Sequence, residues 1–364
     1  MADFKLNNAL SQETWSKKYM EEYTRTSGFL PYMGKGNDAV IRIDSDLTKT
    51  AGDVINIPYF RALSGDGVSG GATLKGNEEA LANYDIEVRI SQLRNGVNIP
   101  ESQAYKTDLQ LANIAGTSLR SWSAAKLKNS VCSALLSVPV SGGTTDGTVN
   151  PDSTVDYASA TEAQKDAYNA ANADRMVFGS STATASGDHS ADLAGIANTE
   201  VLTAAVLDRA KDLAEATSDF RITPFQTKVT EGQEYFVFFT NTTGYNQLRA
   251  DEEIKTNMQN AWTRDEMKNP VFQGGDLLHN GIIIRKIPEL VGLGNVGATS
   301  AAVGASFLCG AGAAAVAWGA MPEVRTQKDD YGEFNGLAIR EVRGVKKMTA
   351  ALHDLGVVTV YHAV

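Results

Sequence analysis

The chain has 364 residues, 43% hydrophobic and 21% charged, a composition that excludes a disordered polymer and allows a large buried core. Its formal net charge of -10 argues against a surface built to grip nucleic-acid phosphates, although a protein that only encloses DNA need not adhere to it. With 33 glycines against 9 prolines, frequent tight turns are expected.

Residues 1–48 read as an N-terminal arm. Within it "SQETWSKKYMEEYTRT" predicts a short amphipathic helix opening with Ser11 and Glu13 and carrying Trp15 and Tyr19, followed by a linker with Gly and Pro. The opening "MADFKLNNALSQETW" lacks the apolar run of a secretion signal.

Two strands come next. Residues 53–63, "DVINIPYFRAL", alternate Ile55, Ile57 and Tyr59 with more polar neighbours. Residues 84–93, "YDIEVRISQL", place Ile86, Val88 and Ile90 on one face and Asp85, Glu87 and Arg89 on the other. The connection between them is about 20 residues long, whereas hairpin loops usually take about 2 to 5. The pair predicts a long hairpin with no evident core of its own.

From Pro100 to Pro139 no proline intervenes, and Leu109, Ala112, Ala115, Leu119 and Trp122 share one broad side of a helix. A helix over this stretch would be roughly 50 Å long at about 1.5 Å per residue, a spine rather than a bundle member. Residues 141–198, rich in Ser, Thr, Gly and Ala, predict an exposed excursion with one helix near "TEAQKDAYNAANA". An amphipathic helix is expected over 199–216, and central strands at "EYFVFFT" (234–240) and "GIIIRKI" (281–287).

No charged side chain occurs from Val291 to Pro322. About 20 such residues could span a bilayer. The stretch is mostly Ala and Gly, however, and lacks flanking Lys/Arg clusters. A buried strand, "SFLCG", followed by an alanine-rich helix is the expectation. The chain then ends in strands, finishing on "GVVTVYHAV".

The stretch "GDGVSGG" (65–71) fits two catalytic patterns: Gly65, Gly67 and Gly70 form G-x-G-x-x-G, and Gly67, Ser69 and Gly71 form G-x-S-x-G. Both need a helix after the glycines, and the next element is a strand. A serine hydrolase using Ser69 is kept only as an alternative. A second G-x-G-x-x-G at Gly292, Gly294 and Gly297 lacks the acidic residue expected about 20 positions on. His189, His279, His353 and His362 are scattered, and Cys132 and Cys309 have no ligand neighbour at finger spacing. No metal, cofactor or catalytic constellation is expected, and the cysteines read as buried and reduced. Lys75 beside Asn77 reads as a surface lysine. What stands out is a projecting hairpin whose unpaired groups need a neighbour, which points to self-assembly.

One block, "DLTKTAGDVINIPYFRALSGDGVSGGATLKGNEEALANYDIEVRISQLRNGV" (46–97), resembles the major capsid proteins of the N-four-like group of tailed double-stranded-DNA phages. The resemblance continues in order through "DRMVFGS" (174–180), "NPVFQGGDLLHNGIIIRKI" (269–287), "FLCGAGAAAVAWG" (307–319), "DYGEFNGLAI" (330–339) and "GVKKMTAALHDLGVVTV" (344–360).

It implies an α+β, Hong Kong 97-type capsid fold, with an arm at 1–48 and an extended loop at 49–100. The spine helix, 101–140, would lie in a peripheral domain to which 225–245 and 340–364 contribute strands, and 141–339 would be mainly an axial domain. It also implies that Gly65, Gly67, Gly70, Gly71, Leu74 and Lys75 meet an adjacent subunit, and that Trp15 and Tyr19 lie across another.

The function so implied is not enzymatic. Copies would self-assemble into hexamers and pentamers of an icosahedral shell around double-stranded DNA, without sequence-specific binding, cofactor or membrane. Portal, scaffolding and decoration proteins would be further partners, and the virion capsid, assembled in the host bacterial cytoplasm, the location. An encapsulin-like nanocompartment shell is the alternative within the same fold.

Overall fold

The computed structural model describes residues 28–45, 52–63, 65, 67–71, 73–104, 106, 111–145, 148–180, 185–216, 219–225, 234–261 and 276–364. The first half of the chain supplies β1 (Met33–Gly34), β2 (Ile41–Asp44), β3 (Val54–Phe60), β4 (Asn83–Arg89), β5 (Ser91–Pro100), α1 (Leu111–Leu136), α2 (Glu162–Ala171) and β6 (Met176–Phe178). The second half supplies α3 (Ala204–Ala216), β7 (Phe236–Thr240), α4 (Thr242–Ala250), α5 (Glu252–Ala261), β8 (Leu277–His279), β9 (Ile282–Lys286), β10 (Val303–Cys309), β11 (Ala314–Asp329), β12 (Phe334–Lys347) and β13 (Val357–Ala363).

Two sheets organise these elements. A five-stranded sheet has the order β1-β2-β11-β12-β5, and a six-stranded sheet the order β6-β13-β10-β7-β9-β8. The sequence reading grouped 225–245 and 340–364 with the spine helix. Of the strands within those ranges, β7 and β13 hydrogen-bond in the six-stranded sheet, while β12 lies in the five-stranded one, where it pairs with β11.

Alternation along β12 assigns the layers of the five-stranded sheet. Leu337 and Ile339 pack on Leu111, Ala115 and Leu119 of α1. Farther along that face, Ser123 of α1 donates to Glu341 Oε2 at 2.6 Å, and Glu341 is paired with Arg343 at 3.0 Å. The expected spine is therefore present, as 26 residues starting at Leu111. Residues Glu101–Ala104 form a separate turn, Ala112 is exposed, and Leu109 lies outside the described residues. The hydrophobic stripe continues beyond Trp122 through Val131, Cys132 and Leu135 into the main core.

The opposite face of the same sheet carries the base of the β3–β4 hairpin. Ile55, Ile57, Ile86 and Val88 pack on Ala315, Ala317 and Met348, so the hairpin base shares a core with the body. Lys346 Nζ donates to the Glu87 carbonyl at 3.0 Å and also to the Asp152 carbonyl. The stretch expected as one strand over 84–93 breaks at Ile90: β4 pairs with β3, and β5 pairs with β12.

This layering explains the largest departure from expectation. The alanine-rich segment is a strand, not a helix. Ala314, Val316 and Trp318 face the main core, while Ala315 and Ala317 face the hairpin base. The segment pairs with β2 on one side and β12 on the other. With both faces covered at close range, small side chains are required, and that packing outweighs alanine's helix propensity.

In the six-stranded sheet Phe236, Phe238, Leu308, Val358 and Val360 face α3, α4 and α5, and Val237, Phe239, Phe307 and Tyr361 face the core shared with α1. Within the range read as an arm, Phe29, Tyr32, Val40 and Ile41 belong to that core. Phe29 and Tyr32 meet Phe239 edge-to-face at 4.9 and 5.6 Å, and β2 lies beside β11. Trp15 and Tyr19 lie outside the described residues. The stretch 141–198 is likewise not a loose excursion, since Tyr168, Asn169, Arg175 and His189 are all buried.

Candidate functional site

The β3–β4 ladder runs from Val54 opposite Arg89 to Phe60 opposite Asn83. Beyond it the chain forms a tip with its own wiring. Gly65 N donates to Glu79 Oε2 at 2.7 Å, Gly76 N to Glu78 Oε2 at 2.7 Å, and Asn77 Nδ2 to the Thr73 carbonyl at 2.9 Å. Gly67 and Gly70 hold positive φ of 71° and 70°, a conformation that glycine adopts without a Cβ penalty. Gly71 has no such requirement and an open flank.

All six residues expected on the loop are exposed, Lys75 among them. Leu74 is 61% exposed, and Phe60, Leu63 and Leu81, not singled out in the sequence, are 59%, 63% and 57% exposed. The signal for Phe60 was available, because alternation with Ile55, Ile57 and Tyr59 turns it to the outer side. The lower part of the hairpin is anchored: Tyr59 stacks on Phe220 at 6.2 Å, and Arg61 pairs with Asp219.

The face of the five-stranded sheet that carries the hairpin base is open at its far end. There Gly96, Gly336 and Ala338 form the floor of an 840 Å³ trough, flanked by Arg94, Asn98, Arg325, Gln327 and Arg340, with Asp329 the one acidic side chain in its lining. Arg325 is engaged by Glu323 at 3.0 Å. Small floor residues and long polar walls suit an extended segment carrying negative charge.

Other polar groups serve the interior. Arg175 donates to Asp354 O, Phe220 O and Asp219 O, with 2.9 Å to the last. Asn172 Nδ2 donates to Leu352 O at 2.8 Å, and its carbonyl oxygen accepts from Asp354 N at 2.8 Å. Ser306 Oγ lies 2.9 Å from His362 Nε2, the geometry of a nucleophile and base, but both residues are sealed in the sheet and no substrate reaches them. Burial pushes His362 down to about 4. His189, within 2.9 Å of the Tyr157 hydroxyl, is pushed down to about 4 for the same reason.

Ser69 sits on the exposed hairpin tip between two strands, so the strand-to-helix turn of a nucleophile elbow is not formed. At Gly292, Gly294 and Gly297 the following element is a three-residue turn, too short to cradle a pyrophosphate. Both cysteines are free and buried as expected, and burial raises the Cys132 thiol to about 12. Among the described residues no helix is long and apolar enough to cross a membrane.

A family profile described as phage capsid protein matches residues 3–364. This chain belongs to the phage capsid protein family. Its fold is the Hong Kong 97-type capsid fold, as the solved relatives show. The capsid asymmetric unit of cyanophage Pam1 is 34% identical, with a TM-score of 0.87 over 100% of this chain and 99% of the other. The capsid of Ralstonia phage GP4 is 22% identical, with a TM-score of 0.72 over 97% and 95%. The major capsid protein of Pseudomonas phage KPP25 is 23% identical over 367 residues, covering 96% of this chain and 94% of its own. These relatives are virion components, and they give no support to the hydrolase or nanocompartment alternatives.

Proposed function

We propose that the chain is the major capsid protein of a tailed phage, and that its copies close an icosahedral shell by passing each hairpin tip onto a neighbour. The observation that carries this reading is the asymmetry of the hairpin. Its base shares the core of its own subunit, while its tip leaves Phe60, Leu63, Leu74 and Leu81 in solvent. Exposed apolar groups on an internally wired tip are what a contact between copies would cover. Heterologous contacts of this kind close into rings, and rings into shells.

The receiving surface in this reading is the trough between Arg94 and Arg340, which Glu78 and Glu79 of a neighbouring tip complement in charge. The five-stranded sheet with α1 would form the peripheral domain and the six-stranded sheet the axial domain. Gly65, Gly67, Gly70, Gly71, Leu74 and Lys75 would lie within the loop contact, and Trp15 and Tyr19 would make a second contact through the arm. The acidic chain would hold double-stranded DNA by enclosure, in a virion assembled in the bacterial cytoplasm, with portal, scaffolding and decoration proteins joining the shell. The role is structural rather than catalytic.

Electron microscopy of the purified protein tests the reading directly. Closed shells are expected from the intact chain, and soluble, helical, unassembled subunits after deletion of residues 65–76. Normal particles from the deletion variant would remove the hairpin from the assembly mechanism.

A further inference from the structure

The connection from β8 to β9 is the dipeptide Asn280-Gly281, with positive φ at both residues (43° and 75°), as in a two-residue type I′ hairpin. This turn fixes His279 at the end of an edge strand. The residue is 7% exposed, and its Nε2 faces α3, 3.2 Å from Asp208 Oδ1. Asn280 Nδ2 donates to the same oxygen at 3.0 Å, and Lys211 Nζ of α3 donates to the Asn280 carbonyl at 2.9 Å. The imidazole is thus held toward α3 from both sides of the turn.

A third element completes the group. Glu253, in the first turn of α5, brings its carboxylate so that one donor atom each from Asp208, Glu253 and His279 lie within 4.8 Å of one another. The nearby cation Lys211 is engaged by the turn and by Glu215 at 3.6 Å.

We infer that Asp208, Glu253 and His279 form a binding site for a zinc-like divalent metal ion. One imidazole nitrogen with two carboxylate oxygens suits zinc and its neighbours, whereas magnesium and calcium take oxygen ligands. The ion would take the place of the proton between His279 Nε2 and Asp208 Oδ1, with Glu253 as third ligand and water completing the shell. It would bridge α3, α5 and β8 on one face of the six-stranded sheet. The site is structural in kind. Its donors come from three elements far apart in sequence, which is why histidine and cysteine spacing gave no sign of it.

The test uses the full-length, tag-free subunit titrated with zinc chloride, and with cobalt chloride for a visible spectrum. A single bound dication per chain in native mass spectrometry and a raised thermal midpoint are expected, with no response to magnesium chloride at equal concentration. His279→Gln should abolish binding. Glu253→Gln changes an exposed side chain, leaves the fold intact and should weaken zinc affinity about tenfold or more, since even a ligand's supporting partner is worth about 10- to 100-fold. No bound dication in the unmodified chain, or unchanged affinity in these variants, overturns the assignment. Because the readout is on the subunit, it is independent of whether shells close.

Discussion

Lys347 Nζ lies 3.0 Å from Asp354 Oδ2, in a pair whose side chains are 0% and 1% exposed. The Tyr168 hydroxyl donates to the same carboxylate oxygen at 2.7 Å and accepts from Lys347 Nζ at 3.0 Å. Lys347 ends β12 of the five-stranded sheet, Asp354 precedes β13 of the six-stranded sheet, and Tyr168 belongs to α2. One buried ion pair therefore joins the two sheets and the segment between α1 and β6. Burial lowers the lysine's pKa, and the aspartate opposes that shift.

Removing one partner of this pair leaves the other as an uncompensated buried charge. Asp354→Ala or Lys347→Met is expected to cost about 3–5 kcal/mol in urea unfolding of the soluble subunit. Replacing both at once, as Lys347→Met with Asp354→Leu, should recover much of the loss, because neither charge then has to be desolvated. A single variant as stable as the unmodified chain would contradict the linking role.

Acid should loosen the subunit through its buried histidines. His189 and His362 are lowered from 6.5 to about 4 by burial, so the native state keeps them neutral while the unfolded chain takes up protons near 6.5. Above that value they add no pH dependence. Between pH 6.5 and 4 the unfolded state binds more protons and stability falls, by roughly 3 kcal/mol per residue once both steps are complete. Urea midpoints measured from pH 7.5 to 4 should drop less steeply in His362→Gln than in the unmodified chain. Equal slopes would remove His362 from the response.

Much of this fold follows from period and punctuation. Ile55, Ile57, Ile86 and Val88 announce two strands, the glycines between them an outlying loop, and Ala115 and Leu119 the inner side of α1. The strand Ala314–Trp318 was hidden, because burial on both faces erases alternation and alanine alone favours helix. Phe29 and Tyr32 could not be recognised as core while their partner Phe239 lay far along the chain. The same limit applies to the proposed contact. Glycines marked the tip, but Arg94 and Arg340 share a surface only once β5 and β12 are in register.

Gly344 of β12 marks the closest approach of the hairpin base to the sheet. A Cβ there would collide with the Arg89 carbonyl and sit 3.3 Å from Val88 Cγ1. Gly344→Ala is expected to lift β4, lose the Lys346 bond to Glu87 and destabilise the subunit by about 1–3 kcal/mol. Gly71→Ala is the matched control, since its flank is open and its φ is not positive. Thermal unfolding of the soluble subunit should separate the two variants. Equal behaviour would mean that the hairpin base is not seated as described.

The charge match between tip and trough gives the sharpest test of how copies meet. Arg94→Glu alters an exposed side chain, so the subunits should remain folded while shell closure, followed by light scattering, is blocked. Glu78→Gln with Glu79→Gln keeps the oxygen acceptors that Gly76 and Gly65 use and removes only the charge, so it should slow closure with the tip intact. Raising ionic strength from 0.05 to about 0.5 M should slow the unmodified chain toward the rate of that variant, because exposed charges are screened over about 10 Å or less above 0.1 M. If mixing arginine-reversed subunits with others carrying Glu78→Lys and Glu79→Lys restores closure, each tip reaches a trough on a different copy. Closure that ignores every one of these changes would place the loop contact on another surface.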